Sequence, residues 1–228
     1  MFKKYFKIYL MVMISIAFLS GFASAANLDI GVRGVGGMAG GTTDTSAKTG
    51  KLGYAVGGGL NLDLYIVDLG KMSIGLSSGF EYLYLAYTSK TDIPAPPMVL
   101  TADVSYSYLK IPLTLKGAYN VSDNFIITCD AGTFFGIFVG GESDNTFNPE
   151  LVPNGVSDLD KGTTYTLDIG LRFAAGVEIG ITENIYLLPG VLFDYGLRDT
   201  SKDDALSPSS KDTFWDVAAY FGVVYRLF

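Results

Sequence analysis

The sequence predicts an all-β protein, an eight-stranded antiparallel up-and-down transmembrane β-barrel, on three observations. Apolar residues alternate with small, polar or charged ones over most of the chain, which is the period of strands and not of helices. The alternating runs are joined by connections that are short and long in turn. Every charge within the runs falls on a single register, which also carries many of the glycines.

Residues 1–25 are read as a cleaved export signal. Lys3, Lys4 and Lys7 form a positive start, Ile8 to Phe22 is mostly apolar, and Ala23-Ser24-Ala25 is a small-residue cleavage site. Residues 26–228 are then the barrel domain. Removing three lysines and no acid takes the formal charge from −7 to −10. A chain this acidic is no partner for nucleic acid, whose phosphates need a basic footprint.

Two absences narrow the chemistry. Cys129 is the only cysteine, so no intrachain disulfide forms. There is no histidine, which removes the base of Ser-His-Asp and Cys-His systems and the commonest ligand of zinc and haem. No catalytic residue, cofactor or metal site is therefore assigned.

The first strand, 27–39, contains a decoy. "GVRGVGGMAGG" satisfies the G-x-G-x-x-[G/A] pattern of dinucleotide folds from Gly34. That pattern needs a helix next, whose N-terminus faces the pyrophosphate. The next residues, "GTTDTSAKTGK", have no helical period, and Leu52 stands where a P-loop has Ser or Thr. The run is a strand with Leu28, Ile30, Val32 and Met38 on one face and Asp29, Gly31 and Arg33 on the other.

The remaining strands are 52–66, 72–88, 104–118, 125–139, 164–179, 185–197 and 213–228. At about 13 to 17 residues they exceed the 9 to 11 that cross a membrane at a tilt. The fourth breaks phase. Val104, Tyr106 and Tyr108 keep one parity with the apolar register, then Leu109, Ile111, Leu113 and Leu115 take the other. A one-residue bulge near Tyr108–Leu109, beside the donor-less Pro112, is expected to repair it. Short turns fall at 67–71, 119–124 and 180–184, and long polar loops at 40–51, 89–103, 140–163 and 198–212. An even strand count puts both chain ends on the short-turn side.

Charge decides which face points outward. The apolar register holds no Asp, Glu, Lys or Arg. The opposite one carries Asp29, Arg33, Asp63, Glu81, Lys110, Lys116, Asp130, Asp168, Arg172, Glu178, Asp194, Asp216 and Arg226. An Arg or Lys facing lipid at the midplane costs about 2–4 kcal/mol, so this register is expected to line the lumen as a structural charge cluster. Its glycines suit a barrel barely wide enough for its own side chains. A secreted soluble lipocalin-like barrel, the alternative, needs large apolar residues inward. Fifteen Tyr and fifteen Phe are a heavy load. Tyr54, Phe80, Tyr82, Tyr84, Phe125, Phe135, Tyr165, Trp215 and Tyr225 fall near strand ends on the apolar register, as interfacial girdles do.

The chain ends "YFGVVYRLF", which resembles the C-terminal strand by which the barrel-insertion machinery recognises outer-membrane barrels. Tyr225 and Leu227 keep the apolar register and Phe228 falls out of phase, so either Leu227 or Phe228 takes the terminal role. "YSYLKIPLTLKGAYNVSDNFIITCDAGTFFGIFVGG" resembles the Y-L-x-I-P-L-x-L-K segment and following strand of PorT-type outer-membrane β-barrel domains. "LDIGLRFAAGVEIGITENIYLLPGVLFDYGLRD" is similar to their later strand pair. Glycine-aromatic alternation of this kind is shared with OmpA/OmpX-type and OmpW-type barrels. The resemblance implies an outer-membrane barrel of a diderm bacterium and carries over no catalytic residue.

The function expected is non-enzymatic: a charge-filled lumen, outer-membrane lipid around it, and long loops as the contact for an extracellular partner. The acidic third loop reads as a solvated loop, without the spacing of an EF-hand. The alternatives are a narrow OmpW-like channel for small or hydrophobic molecules and, against the missing histidine, a membrane-embedded enzyme.

Overall fold

The computed structural model describes residues 27–43, 48–50, 52–94, 97–148, 155–159, 167–197 and 212–227. The export signal, Tyr165 and Phe228 lie outside the described residues.

Ten strands are described: β1 (Asn27–Thr43), β2 (Lys48–Gly50), β3 (Gly53–Asp68), β4 (Met72–Pro94), β5 (Pro97–Ser122), β6 (Phe125–Asn148), β7 (Gly155–Leu159), β8 (Leu167–Gly180), β9 (Ile185–Gly196) and β10 (Asp212–Arg226). Eight long strands form one antiparallel ring in the order β1, β3, β4, β5, β6, β8, β9, β10. The seam is β10 on β1, fifteen residue pairs from Asp29↔Arg226 to Thr43↔Asp212. Closure gives each of the eight strands two paired neighbours and leaves the ring no open edge, the condition for β-structure in lipid.

Alternation places the residues as pleating requires. On β3, Asn61, Asp63 and Tyr65 are buried inside, whereas Leu60, Leu62 and Ile66 are exposed outside. The same exposed band continues through Val32, Leu115, Phe173 and Val191 on other strands. An apolar exterior around a charged interior is the reverse of a soluble lipocalin-like barrel. Leu60, midway along β3 and 52% exposed, is a probe of this surface. Leu60→Arg should lower the urea unfolding free energy in lipid vesicles by about 2–4 kcal/mol, and an unchanged midpoint would contradict a lipid-facing position.

The tight turns follow from local chemistry. Between β3 and β4, Gly70 takes φ +81°, a conformation that favours glycine, and its N–H donates to Asp68 Oδ1 at 2.8 Å. Between β8 and β9, Thr182 Oγ1 accepts from the Ile185 N–H at 3.1 Å. Both turns lie at the same end of the ring as the first residue of β1 and the last of β10.

At the opposite end the strands run longer than periodicity in the apolar residues shows. β4, β5 and β6 reach 23, 26 and 24 residues. Beyond the last β3–β4 pair, Tyr54↔Ala86, the β4–β5 ladder continues from Tyr87↔Val104 to Pro94↔Pro97. Eight further residues at about 3.3 Å each carry this hairpin roughly 25 Å beyond the start of β3. Residues expected as loop, 89–94, 97–103 and parts of 40–51, 140–163 and 198–212, are thus strand. Apolar and polar residues do not alternate strictly here, but Thr88, Thr91, Thr101 and Val104 are β-branched and suit a ladder. β2 adds to β4, and β7 adds to β6, giving a five-stranded projecting sheet.

The bulge expected near Tyr108–Leu109 is not in β5. The β4–β5 register runs through Tyr82↔Leu109, Leu83↔Tyr108 and Tyr84↔Ser107 without a shift. The extra residue is Val139 on β6, between the pairs Tyr108↔Phe138 and Ser107↔Gly140. Consequently Tyr106, Tyr108 and Lys110 share one face, and the two tyrosines point into the lumen and not to lipid. Pro112 leaves a different mark. The β4–β5 pairs skip from Ser78↔Leu113 to Glu81↔Lys110, and the Ser78 hydroxyl donates to the Pro112 carbonyl at 2.9 Å.

Candidate functional site

The lumen is built in three layers along the barrel axis. Nearest the short turns, Arg226 at the end of β10 forks onto Asp29 of β1, with Nε and Nη2 donating at 3.0 and 2.8 Å. Arg226 Nη2 also reaches Glu178 of β8 at 3.0 Å. Lys116 of β5 crosses β4, which is lined here by Gly75 and Ser77, to Asp63 at 2.7 Å and Glu178 at 3.0 Å. Tyr65 donates its hydroxyl to Glu178 at 3.3 Å, and Asn61 its amide to Asp63 at 3.2 Å. Glu178 is wholly buried and ties β5, β8, β10 and the β3 tyrosine together.

The middle layer is a second network. Arg172 of β8 donates Nε and Nη2 to the two Asp194 oxygens of β9 at 2.7 and 2.6 Å. Its Nη1 lies 2.7 Å from Glu81 Oε2 on β4. Arg33 of β1 pairs with the other Glu81 oxygen. Lys110 of β5 donates to Asp194 and to Asp216 of β10, each at 2.8 Å. Three bases and three acids drawn from six strands balance one another. Lys110 Nζ also lies 4.6 Å over the Phe134 ring, and Arg33 5.4 Å from the Tyr220 ring centre.

Glycines make room for these groups. A Cβ on Gly190 would collide with the Tyr220 ring, and one on Gly170 with the Phe134 ring. The first-strand glycines divide. Gly31, Gly37 and Gly41 face inward, whereas Gly34 and Gly36 face outward with open space beside them, so only the inward ones enlarge the lumen.

The outer layer has no counterpart in the charge pattern. Tyr87 of β4, Tyr106 and Tyr108 of β5, Phe138 of β6 and Phe214 of β10 pack as one aromatic plug. Ring centres are 4.8 Å apart for Tyr106–Phe214, 5.5 Å for Tyr87–Phe214 and 5.8 Å for Tyr108–Phe138. Leu83 and Leu85 are buried inside at the same level. The rings meet in tilted and edge-on arrangements, which aromatic pairs prefer over face-to-face stacking.

All thirteen sequence-named charges face the lumen. Asp29, Asp63, Glu81, Lys110, Lys116, Asp168, Arg172, Glu178, Asp194 and Asp216 are buried, and Arg33, Asp130 and Arg226 are partly so. The networks join all five bases to acids. Tyr225 and Leu227 of the terminal strand are exposed on the outer face. Of the girdle residues, Tyr54, Phe80, Tyr82, Phe125, Phe135 and Tyr225 are also exposed outward. The plug is what sequence reasoning missed. A signal existed, because Tyr87 keeps the parity of Glu81, Phe138 that of Asp130, and Phe214 that of Asp216. The charged register turns apolar toward the long-loop end on each of these strands. Among the described residues, no three His, Cys, Asp or Glu converge to hold a metal ion.

No protein-family model matches the chain, and no curated protein is similar to it in sequence. Solved structures are similar to it at low identity. Neisserial surface protein A is 10% identical over 90% of this chain and 100% of that one, with a TM-score of 0.45. The outer membrane protein OprG from Pseudomonas aeruginosa is 14% identical over 87% and 95%, with a TM-score of 0.45. The outer membrane protease OmpT from Escherichia coli is 9% identical over 89% and 96%, with a TM-score of 0.43. One of the three is a protease by name, so the likeness assigns neither an activity nor its absence. The comparisons do not show the PorT-type family. The chain is an eight-stranded antiparallel up-and-down β-barrel.

Proposed function

We propose that the protein is a non-enzymatic barrel of a bacterial outer membrane, with a closed lumen and a role at the cell surface through its projecting sheet. The observation that carries this reading is the stacking of two ion-pair networks and an aromatic plug across the bore. With Glu178, Asp194, Lys110, Tyr108 and Phe138 all nearly or wholly buried, the described lumen is packed like a protein core. The exposed apolar belt supports lipid as its surroundings, and the short-turn end is then periplasmic. The PorT-type resemblance agrees with this placement but rests on two segments of the sequence alone.

The test is conductance. Purified protein inserted in planar bilayers is expected to show no unit steps, and its unboiled form to migrate differently from the boiled form on gels. Reproducible steps would favour the narrow OmpW-like channel. Recovery in the soluble periplasmic fraction with heat-independent mobility would overturn the membrane reading altogether.

A further inference from the structure

The outward face of the projecting sheet carries acids that the chain leaves without bases. Strand pairing sets its residues in rows across β4, β5 and β6. Tyr84, Ser107 and Gly140 form the row nearest the membrane, Ala86, Ser105 and Glu142 the next, and Thr88, Asp103 and Asp144 the third. Asp103, Glu142 and Asp144 are exposed. In the lumen all five bases are joined to acids. Here, among the described residues, no Lys or Arg pairs with any of the three acids. Asp103 has the Thr88 hydroxyl, which donates to it at 2.6 Å.

Asp103 and Asp144 stand directly opposite each other in the ladder. Like charges in that position are destabilising, so the face gains when a cation lies over both. The same face is hollowed. A cavity of about 260 Å³ is lined by Tyr84, Ala86, Asp103, Ser105, Glu142 and Asp144. Ala86 and Ser105 are its short side chains, and beside them Gly140 has open space where a Cβ would stand. Tyr84 bounds the cavity on the membrane side and the three acids bound it beyond. Next to Tyr84, the Tyr82 hydroxyl donates to Ser107 at 2.9 Å, so the cavity opens at the outer edge of the apolar belt.

A hollow with an aromatic wall and several carboxylates suits a guanidinium. Arginine offers a planar fork of donors to carboxylates and lies against aromatic faces, whereas the compact lysine ammonium does neither. The acids also occupy two successive rows of the sheet, a span that a polypeptide with more than one basic residue covers.

We propose that the outward face of the projecting sheet docks a basic segment of a protein partner, with one arginine seated in the cavity between Tyr84 and the carboxylates of Asp103, Glu142 and Asp144. The inference rests on the surface role given to the projecting sheet and names the chemistry of its partner. Exposed charges are screened by salt, so the association is salt-dependent.

The experiment is fluorescence anisotropy of a labelled hexa-arginine peptide titrated with the full-length purified protein in neutral detergent, with hexa-lysine as comparator. Hexa-arginine should bind more tightly than hexa-lysine, and more weakly as salt is raised. Glu142→Gln together with Asp144→Asn should weaken its binding by about tenfold or more, the scale of lost charge-assisted hydrogen bonds. Asp123→Asn together with Glu183→Gln removes the same charge from exposed residues of the short turns and should change binding by less than about twofold. Tyr84→Leu should erase the preference for arginine over lysine. Equal weakening by both pairs of substitutions would overturn the proposal, because the peptide would then answer to net charge alone. Displacement of the peptide by phosphatidylethanolamine added to the micelles would overturn it too, by giving the face to a lipid amine. Protein that keeps its heat-dependent gel mobility and binds no hexa-arginine would overturn this proposal and leave the barrel reading standing.

Discussion

Replacing Arg172 by Met is expected to cost the folded barrel about 3 kcal/mol, the lower end of the range for breaking a buried ion pair. Among the described residues, Arg172 is the only base that touches both Glu81 and Asp194. Glu81 keeps Arg33 and Asp194 keeps Lys110, which is why the loss stays below the upper end near 5 kcal/mol. Methionine preserves much of the stem volume, so the loss reports on charge and hydrogen bonding more than on a cavity. Urea unfolding in lipid vesicles measures it, and adding Glu81→Gln to the same chain should recover part of it. Coupling of that sign is expected because the second change removes an acid that the first left short of a partner. A loss under about 1 kcal/mol, the range of exposed ion pairs, would mean that water reaches the network and that the bore is not closed at this level.

How much of this lumen could be read before the structure depends on which physical signal each residue carries. A charge has one tolerable side in a membrane wall, so Asp63, Lys116 or Arg172 announces the inner register of its strand by itself. Partners were a different matter. Arg172 and Glu81 are 91 positions apart, and no periodicity says that β8 and β4 face each other across the bore. Aromatic residues are ambiguous in a way that charges are not. A tyrosine is as stable in an interfacial girdle as in an apolar plug, so Tyr106 and Tyr108 fitted the lipid register. That placement requires a bulge in β5. Their true orientation keeps β5 in phase through Lys110 and moves the extra residue to Val139 on β6. The projecting hairpin was hidden for a related reason. Outside lipid neither face of a strand must be apolar, so Ser89–Pro94 and Pro97–Asp103 read as loop although their backbones pair throughout.

The plug and the middle network stand in series, and truncating the plug separates their roles. Tyr108→Ala and Phe214→Ala should each destabilise the barrel by about 3–5 kcal/mol, the usual cost of truncating a buried ring to alanine. Together they should cost less than the sum, because their ring centres are 6.4 Å apart and each vacates space the other adjoins. The double variant is nevertheless expected to remain closed to ions in planar bilayers. On β5, Lys110 is the next inward residue after Tyr108, and on β10, Asp216 is the next after Phe214. These two are joined to each other at 2.8 Å, and through Asp194 to Arg172, immediately beneath the plug. Removing the rings therefore deepens the outer mouth without opening a path. Conduction should appear only when Arg172→Met is added, which loosens the link from Glu81 to Asp194. If the double variant conducts without it, the aromatic plug is the seal, and the ion pairs beneath it are spaced widely enough for hydrated ions to pass.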